Sequence, residues 1–131
     1  MDRKDIRWRQ RFENYKKALA RLEAALAVEN PSNIELAGAV QFFEIVFELA
    51  WKTMKDFAES KGVLVNNPRD TVKAAFEMET IGNAGTWLEA LLDRNATTHL
   101  YDEKEIAAIV EKIRTLYAPL FRAFAQTLTT K

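Results

Sequence analysis

The chain is 131 residues long, 48% hydrophobic and 29% charged, a composition that fits one folded domain with a real core and not a disordered segment. With 19 basic and 19 acidic residues its formal net charge is zero, so no overall field draws it to nucleic acid or to a membrane surface. It has no cysteine and one histidine, which excludes disulfides, thiolate catalysis and cysteine metal sites; neither a metal nor a cofactor is expected.

The first residues, Met1-Asp2-Arg3-Lys4-Asp5, lack the apolar core of a signal peptide. The most apolar run, Phe42 to Trp51, is broken by Glu44 and Glu48 and is far too short to span a bilayer. A single cytoplasmic domain over residues 1–131 is the expectation.

The first helix is set by Trp8, Phe12, Tyr15, Leu19, Leu22 and Leu26, which recur at alternating spacings along one amphipathic face. Asn30-Pro31-Ser32-Asn33 breaks it, and Ser32 or Asn33 is placed to cap the next helix. The second helix is expected from Ile34 to Lys61, with Gly62 as its stop. Its middle, including Phe42, Phe43, Ile45, Val46, Phe47, Leu49 and Trp51, is apolar nearly all round, as befits a helix that is central or that faces both a core and a partner. Within it, Glu44 and Glu48 allow two readings. In one they are solvated, with Glu48 pairing to Lys52 for about 0.3 kcal/mol. In the other, one of them is partly buried and needs a cation such as Arg94. Charged residues are seldom fully buried, which favours the first.

After a loop over Val63 to Asn67, Asn67-Pro68 reads as a cap followed by proline at the first helical position. A short third helix is expected over Pro68 to Glu79, with Val72, Ala75 and Phe76 inward, ended by Gly82-Asn83-Ala84-Gly85. The fourth starts near Thr86 and carries Trp87, Leu88, Leu91 and Leu92. Asp102-Glu103-Lys104-Glu105 has the pattern of a capping box, with Asp102 as cap and Glu105 as its reciprocal partner. The fifth helix presents Ile106, Ile109, Val110, Ile113, Leu116, Tyr117, Leu120, Phe121 and Phe124, with Pro119 set to kink it or end a regular segment. No strand-like alternation occurs. The fold class expected is all-α: an up-and-down bundle of about four main helices plus a short one.

The candidate for chemistry is Arg94-Asn95-Ala96-Thr97-Thr98-His99-Leu100-Tyr101, at the junction of the fourth and fifth helices. Arg94 continues the stripe of Trp87 and Leu91, while Asn95 and His99 continue that of Leu88 and Leu92. On an ideal helix Arg94 and His99 lie about 140° apart, so they converge only if the helix ends near Thr97-Thr98 or if they face partners in a second subunit. Such a group suits phosphodiester cleavage without metal. An imidazole titrates near neutrality and exchanges a proton with a ribose 2′-hydroxyl or a leaving oxygen. An arginine offers a permanently charged fork to the phosphate, and Asn95 can orient either. The structural alternative has Arg94 on helix-terminal carbonyls and His99 and Tyr101 filling a turn. Helix two, too apolar for one thin bundle to cover, and a motif that need not converge within one chain both point to a homodimer.

Arg94, a polar Asn95 and His99 after four intervening residues resemble the Arg-x4-6-His motif of the HEPN superfamily, and His99-Leu100-Tyr101 is similar to its HepT-type branch. The phrase Phe43-Glu44-Ile45-Val46-Phe47-Glu48-Leu49-Ala50-Trp51-Lys52 resembles the nucleotidyltransferase substrate-binding proteins of the same superfamily, and the likeness runs from the first helix to the last. The resemblance implies a dimeric helical bundle whose Arg94, Asn95 and His99 line a cleft between subunits. It implies complex formation with a minimal nucleotidyltransferase. In toxin–antitoxin pairs of this kind, the helical protein is a ribonuclease toxin, and its partner silences it by adding AMP to the tyrosine matched here by Tyr101. The older family name implies instead a non-catalytic module that presents nucleotide or substrate, with Arg94, Asn95 and Tyr101 as phosphate contacts. A helical scaffold without chemistry is the third class.

Overall fold

The structure, a computed structural model, describes residues 2–131 and is all-helical, as the spacing predicts. Helix α1 spans Arg3–Leu26, α2 Asn33–Ser60, α3 Pro68–Glu77 and α4 Ala84–Ala96. A 3₁₀ turn at Thr97–His99 leads to α5, Glu103–Lys112, which passes through a π turn at Ile113–Tyr117 into α6, Ala118–Thr129. Helix α2 is the centre and packs against α1, α3, α4 and α5. Among the described residues no helix is long and apolar enough to cross a membrane.

The ends of the helices follow from their chemistry. Ser32 caps α2 in a full capping box: its hydroxyl accepts from the Glu35 N–H at 3.2 Å, and the Glu35 carboxylate accepts from the Ser32 N–H at 2.9 Å. Asn67 caps α3 ahead of Pro68, accepting from the Asp70 N–H at 2.9 Å. At Asp102 the expected box is not made, and the aspartate acts as a simple cap. Its carboxylate accepts from the Lys104 N–H at 2.7 Å, and Glu105 does not reciprocate. Helix α3 ends before the glycines expected to stop it, because Glu79 takes a left-handed φ of 60° and the Thr80 N–H reaches back to the Ala75 carbonyl at 3.0 Å. Asn83 then caps α4, which therefore begins at Ala84 rather than near Thr86. Pro119 does end a regular segment. It follows the π turn, where the Ala118 N–H bonds to the Ile113 carbonyl, so the helix widens by one residue and continues instead of breaking.

The core is built from aromatic side chains. Trp8, Tyr15, Phe43, Phe47, Trp87, Tyr117, Phe121 and Phe124 are buried in one cluster, and Tyr15 satisfies its hydroxyl by donating to the Phe121 carbonyl at 2.7 Å. Two inward assignments are corrected: Phe76 is half exposed, since Thr71, Val72, Ala74 and Ala75 already supply the face that α3 buries, and Leu116 is also exposed, at the outer side of the π turn. Between α1 and α2, Arg11 Nε donates to the buried carboxylate of Asp56 at 2.8 Å.

Candidate functional site

Helix α4 carries Trp87 and Leu91 into the core, and Arg94 comes next on that stripe, where the core gives way to solvent. The helix stops two residues later. The Thr97 hydroxyl donates to the Arg94 carbonyl at 2.7 Å, satisfying one of the terminal acceptors, and the backbone tightens into the 3₁₀ turn that holds Thr98 and His99. Those are the residues at which an ending was expected.

The guanidinium of Arg94 lies over the Phe47 ring, 5.5 Å from its centroid. Its Nη1 donates to Asn95 Oδ1 at 3.0 Å, and its Nη2 donates to Glu48 Oε2 in a close ion pair. Glu48 is held from its other side: Trp51 Nε1 donates to Oε2 at 3.0 Å, and Lys52 Nζ lies 3.3 Å from Oε1. The favoured reading of Glu48 as a solvated partner of Lys52 is thus half of the arrangement, and its second partner is Arg94. Partial burial pushes the Glu48 carboxyl up. The hydrogen bonds from Trp51 and Lys52 and the charges of Arg94 and Lys52 outweigh this and hold it below the usual value.

These groups front an open groove of about 740 Å³. Gln41, Glu44, Ile45 and Glu48 form one wall from α2; Arg94 and Asn95 from α4 and Thr98 from the 3₁₀ turn form the other. The structure brings Arg94 and Asn95 together in it and leaves His99 and Tyr101 outside its lining. His99 is exposed on the turn, and Tyr101 is 83% exposed just beyond it. The contacts differ from those of the structural alternative: the Arg94 side chain binds a carboxylate and an amide rather than helix-terminal carbonyls, and His99, on the turn, and Tyr101, beyond it, are exposed. The stripe through Leu88, Leu92, Asn95 and His99 does not pack along its length either, since Leu92 is 60% exposed.

Behind α4, Asp93 anchors the helix to the π turn. Tyr117 donates its hydroxyl to Asp93, and Lys112 Nζ lies 2.7 Å from both Asp93 Oδ2 and Glu89 Oε2. Burial, together with Asp93, pushes the Tyr117 hydroxyl well above its ordinary value, and the bonds to Asp93 and Glu89 do the same for Lys112. Sequence reasoning missed this anchor and Gln41 in the groove; it had Thr98 within the candidate stretch and Ile45 within the apolar middle of α2, but gave neither a place at the site. One signal was present: residues 41, 44, 45 and 48 recur at helical spacing and bring Gln41, Glu44 and Glu48 onto one stripe through the most apolar part of the helix.

Chemically, the groove offers a guanidinium with five N–H donors, of which Asn95 and Glu48 occupy two. The others suit an oxyanion. Among the described residues no three His, Cys, Asp or Glu side chains come together as a metal site requires.

Residues 10–130 match the family described as nucleotidyltransferase substrate binding protein like. Over 83 residues the chain is 31% identical to a Haemophilus influenzae protein named probable ribonuclease HepT; the match covers 60% of this chain and 57% of that protein, so the chain spans little more than half the relative's length. A Thermus thermophilus protein solved by crystallography is similar at a TM-score of 0.79 and 31% identity, over 87% of this chain and 98% of that one.

Proposed function

The chain belongs to the nucleotidyltransferase substrate binding protein-like family, of the HepT-like HEPN type, and on that premise we propose that it is the helical partner of a minimal nucleotidyltransferase and a metal-independent endoribonuclease acting through Arg94 and His99. The observation that supports this best is Arg94 itself. A charged arginine at the end of a core stripe, 25% exposed and oriented into an open groove, is placed to bind a ligand oxyanion. His99 follows on the turn that ends the same helix and is open to solvent.

In the reaction, a ribose 2′-oxygen attacks phosphorus as the bond to the 5′-oxygen breaks. His99 takes the proton from the 2′-hydroxyl or supplies one to the leaving 5′-oxygen, the other proton being exchanged with water, and Arg94 stabilises the charge on the phosphate. Asn95 orients the guanidinium. Single-stranded or looped RNA is the substrate class, because a 2′-hydroxyl must reach the in-line position. We place the complete site at a two-fold interface. Ile45, 40% exposed within the groove, and Leu92, one turn before Asn95, are the apolar contacts that a second copy of the chain would cover.

The position of His99 outside the groove favours a second reading, in which the protein is a non-catalytic subunit that holds a nucleotide for the nucleotidyltransferase. Cleavage of a single-stranded RNA decides between the two. The first reading expects activity that survives EDTA, products with 2′,3′-cyclic phosphate ends, and losses on the order of 10²–10⁴ in rate for His99→Ala, with Arg94→Ala also impaired. Full activity in His99→Ala, or abolition by chelator, would overturn it.

A further inference from the structure

We propose that Glu48 is a positioning residue for Arg94, holding its guanidinium in the orientation that receives the substrate phosphate. The inference rests on the reading of Arg94 as the phosphate-binding group. Arginine has a long side chain with about 2 kcal/mol of rotamer entropy, and at the exposed end of a helix its head group would sample several directions. Here both Nη atoms are engaged, Nη1 by Asn95 at 3.0 Å and Nη2 by Glu48, while Phe47 supports the plane from below. Asn95 is exposed and adjacent in sequence, so it moves with Arg94. Glu48 belongs to a different helix, and it is fixed in turn by Trp51 and Lys52 on the next turn of α2. The direction of the arginine is therefore set by the central helix of the fold.

The exposure of the pair separates this role from a stabilising one. Glu48 is 37% and Arg94 25% exposed, so both front the groove. Ion pairs this open contribute little to folding stability. What the contact does supply is geometry, and a misplacement of about 1 Å in a catalytic group costs on the order of 10²-fold in rate. The arrangement also carries a penalty. With Glu44 and Glu48 both on the groove wall, a phosphate meets two carboxylates beside one guanidinium. Neutralising Glu48 therefore eases anion approach while it releases Arg94, which predicts opposite effects on binding and on turnover.

The test uses the full chain in four forms: wild type, Glu48→Gln, Glu48→Asp and Trp51→Phe, each checked for folding by circular dichroism. Proton–nitrogen NMR of the arginine side chains reads the orientation directly. In wild type, hindered rotation should give Arg94 separate Nη signals; Glu48→Gln should average them, and Glu48→Asp should restore them. With a single-stranded RNA oligonucleotide in EDTA, Glu48→Gln should lower kcat on the order of 10²-fold with KM unchanged or reduced. Glu48→Asp should recover most of the turnover, and Trp51→Phe should lie between. Unchanged Nη signals and unchanged kcat in Glu48→Gln would overturn the assignment. So would a loss that appears only as a raised KM. If wild type cleaves no RNA, the ribonuclease reading fails by itself, and the NMR comparison still decides whether Glu48 holds Arg94.

Discussion

The Tyr117 hydroxyl donates a hydrogen bond to the Asp93 carboxylate, tying the π turn to α4 one residue before Arg94. Without the π turn, Tyr117 would sit one residue out of register with the helix that follows. The extra residue lets its ring stack on Phe43, with centroids 5.5 Å apart, while its hydroxyl reaches across to α4. Tyr117→Phe keeps the ring and removes the bond, so it should cost about 1–2 kcal/mol. The effect carries a pH signature. The folded state raises the Tyr117 hydroxyl and the Lys112 ammonium above their ordinary values. Their contribution is therefore complete below the unfolded values of about 10 and 10.4, and it is lost as pH rises through the folded ones. Urea denaturation from pH 8 to pH 11 should show wild type losing stability above about pH 10, with a shallower fall in Tyr117→Phe. Parallel profiles would mean that the hydroxyl carries no linkage.

Two helices end in the same backbone motif with different residues at its left-handed position. After α2 it is Gly62, at φ 85°; after α3 it is Glu79, at φ 60°. Nothing lies within 4 Å of a Cβ built on Gly62, so Gly62→Ala meets no clash, and its cost is the left-handed backbone, about 1 kcal/mol. By the same reasoning Glu79→Gly relieves that strain at the expense of some chain entropy, a net gain of about 0.5 kcal/mol. Thermal melts of the two variants should move in opposite directions from wild type. A destabilised Glu79→Gly would show that the Glu79 side chain contributes more than its strained backbone costs.

The helices were legible because their signals are local. The spacing of Trp8, Phe12, Tyr15, Leu19 and Leu22 names a face, and all of these are buried; Asn67-Pro68 names a start, and α3 begins there. The end of α3 was legible to within two residues, Glu79 expected against Glu77 observed, but its stop was assigned to the glycines downstream, since glutamate is an unusual residue for a left-handed turn. Phe76 was misplaced because periodicity assigns a direction without saying how much core remains to be filled. At the site, the motif residues could be named and Arg94 was offered, as the less favoured reading, as a cation for Glu44 or Glu48; the pair is separated by 46 positions, and only the packing of α4 on α2 selects Glu48. His99 shows the converse. Its spacing from Arg94 fits a paired site, yet within one chain the turn leaves it outside the groove.

The proposed two-fold interface makes a direct prediction. Leu92 is 60% exposed and lies on the same face of α4 as Asn95, so an aspartate there would be solvated in a monomer and buried without a partner in the dimer. An interface of standard size, about 1,600 Å² in total, would not tolerate that charge near its centre. Sedimentation at micromolar concentration should show a dimer for wild type and a monomer for Leu92→Asp, with the helical signal unchanged. A monomeric wild type would count decisively against the interface and against a site completed by two chains.

Tyr101 is proposed as the residue that a partner nucleotidyltransferase modifies with AMP. At 83% exposure its ring packs on little, and it directly precedes Asp102, the cap of α5. Its hydroxyl is therefore accessible to another active site without unfolding any helix. In the transfer, the tyrosine oxygen attacks the α-phosphorus of ATP, pyrophosphate leaves, and the phenolic proton is lost to solvent or to a base of the partner. The product carries a negative phosphate and a nucleotide at the end of the turn that follows Arg94. That phosphate would compete for the arginine, and the bulk of the nucleotide would obstruct the cleft. Incubation with the partner nucleotidyltransferase, ATP and magnesium, followed by intact-mass spectrometry, should show the mass of one AMP on wild type and none on Tyr101→Phe. RNA cleavage should fall in step with modification, and Tyr101→Phe should resist silencing while it keeps its own activity. Modification that persists in Tyr101→Phe would move the acceptor elsewhere. A wild type left unmodified by an active partner would remove this means of control and favour the nucleotide-holding reading of the protein.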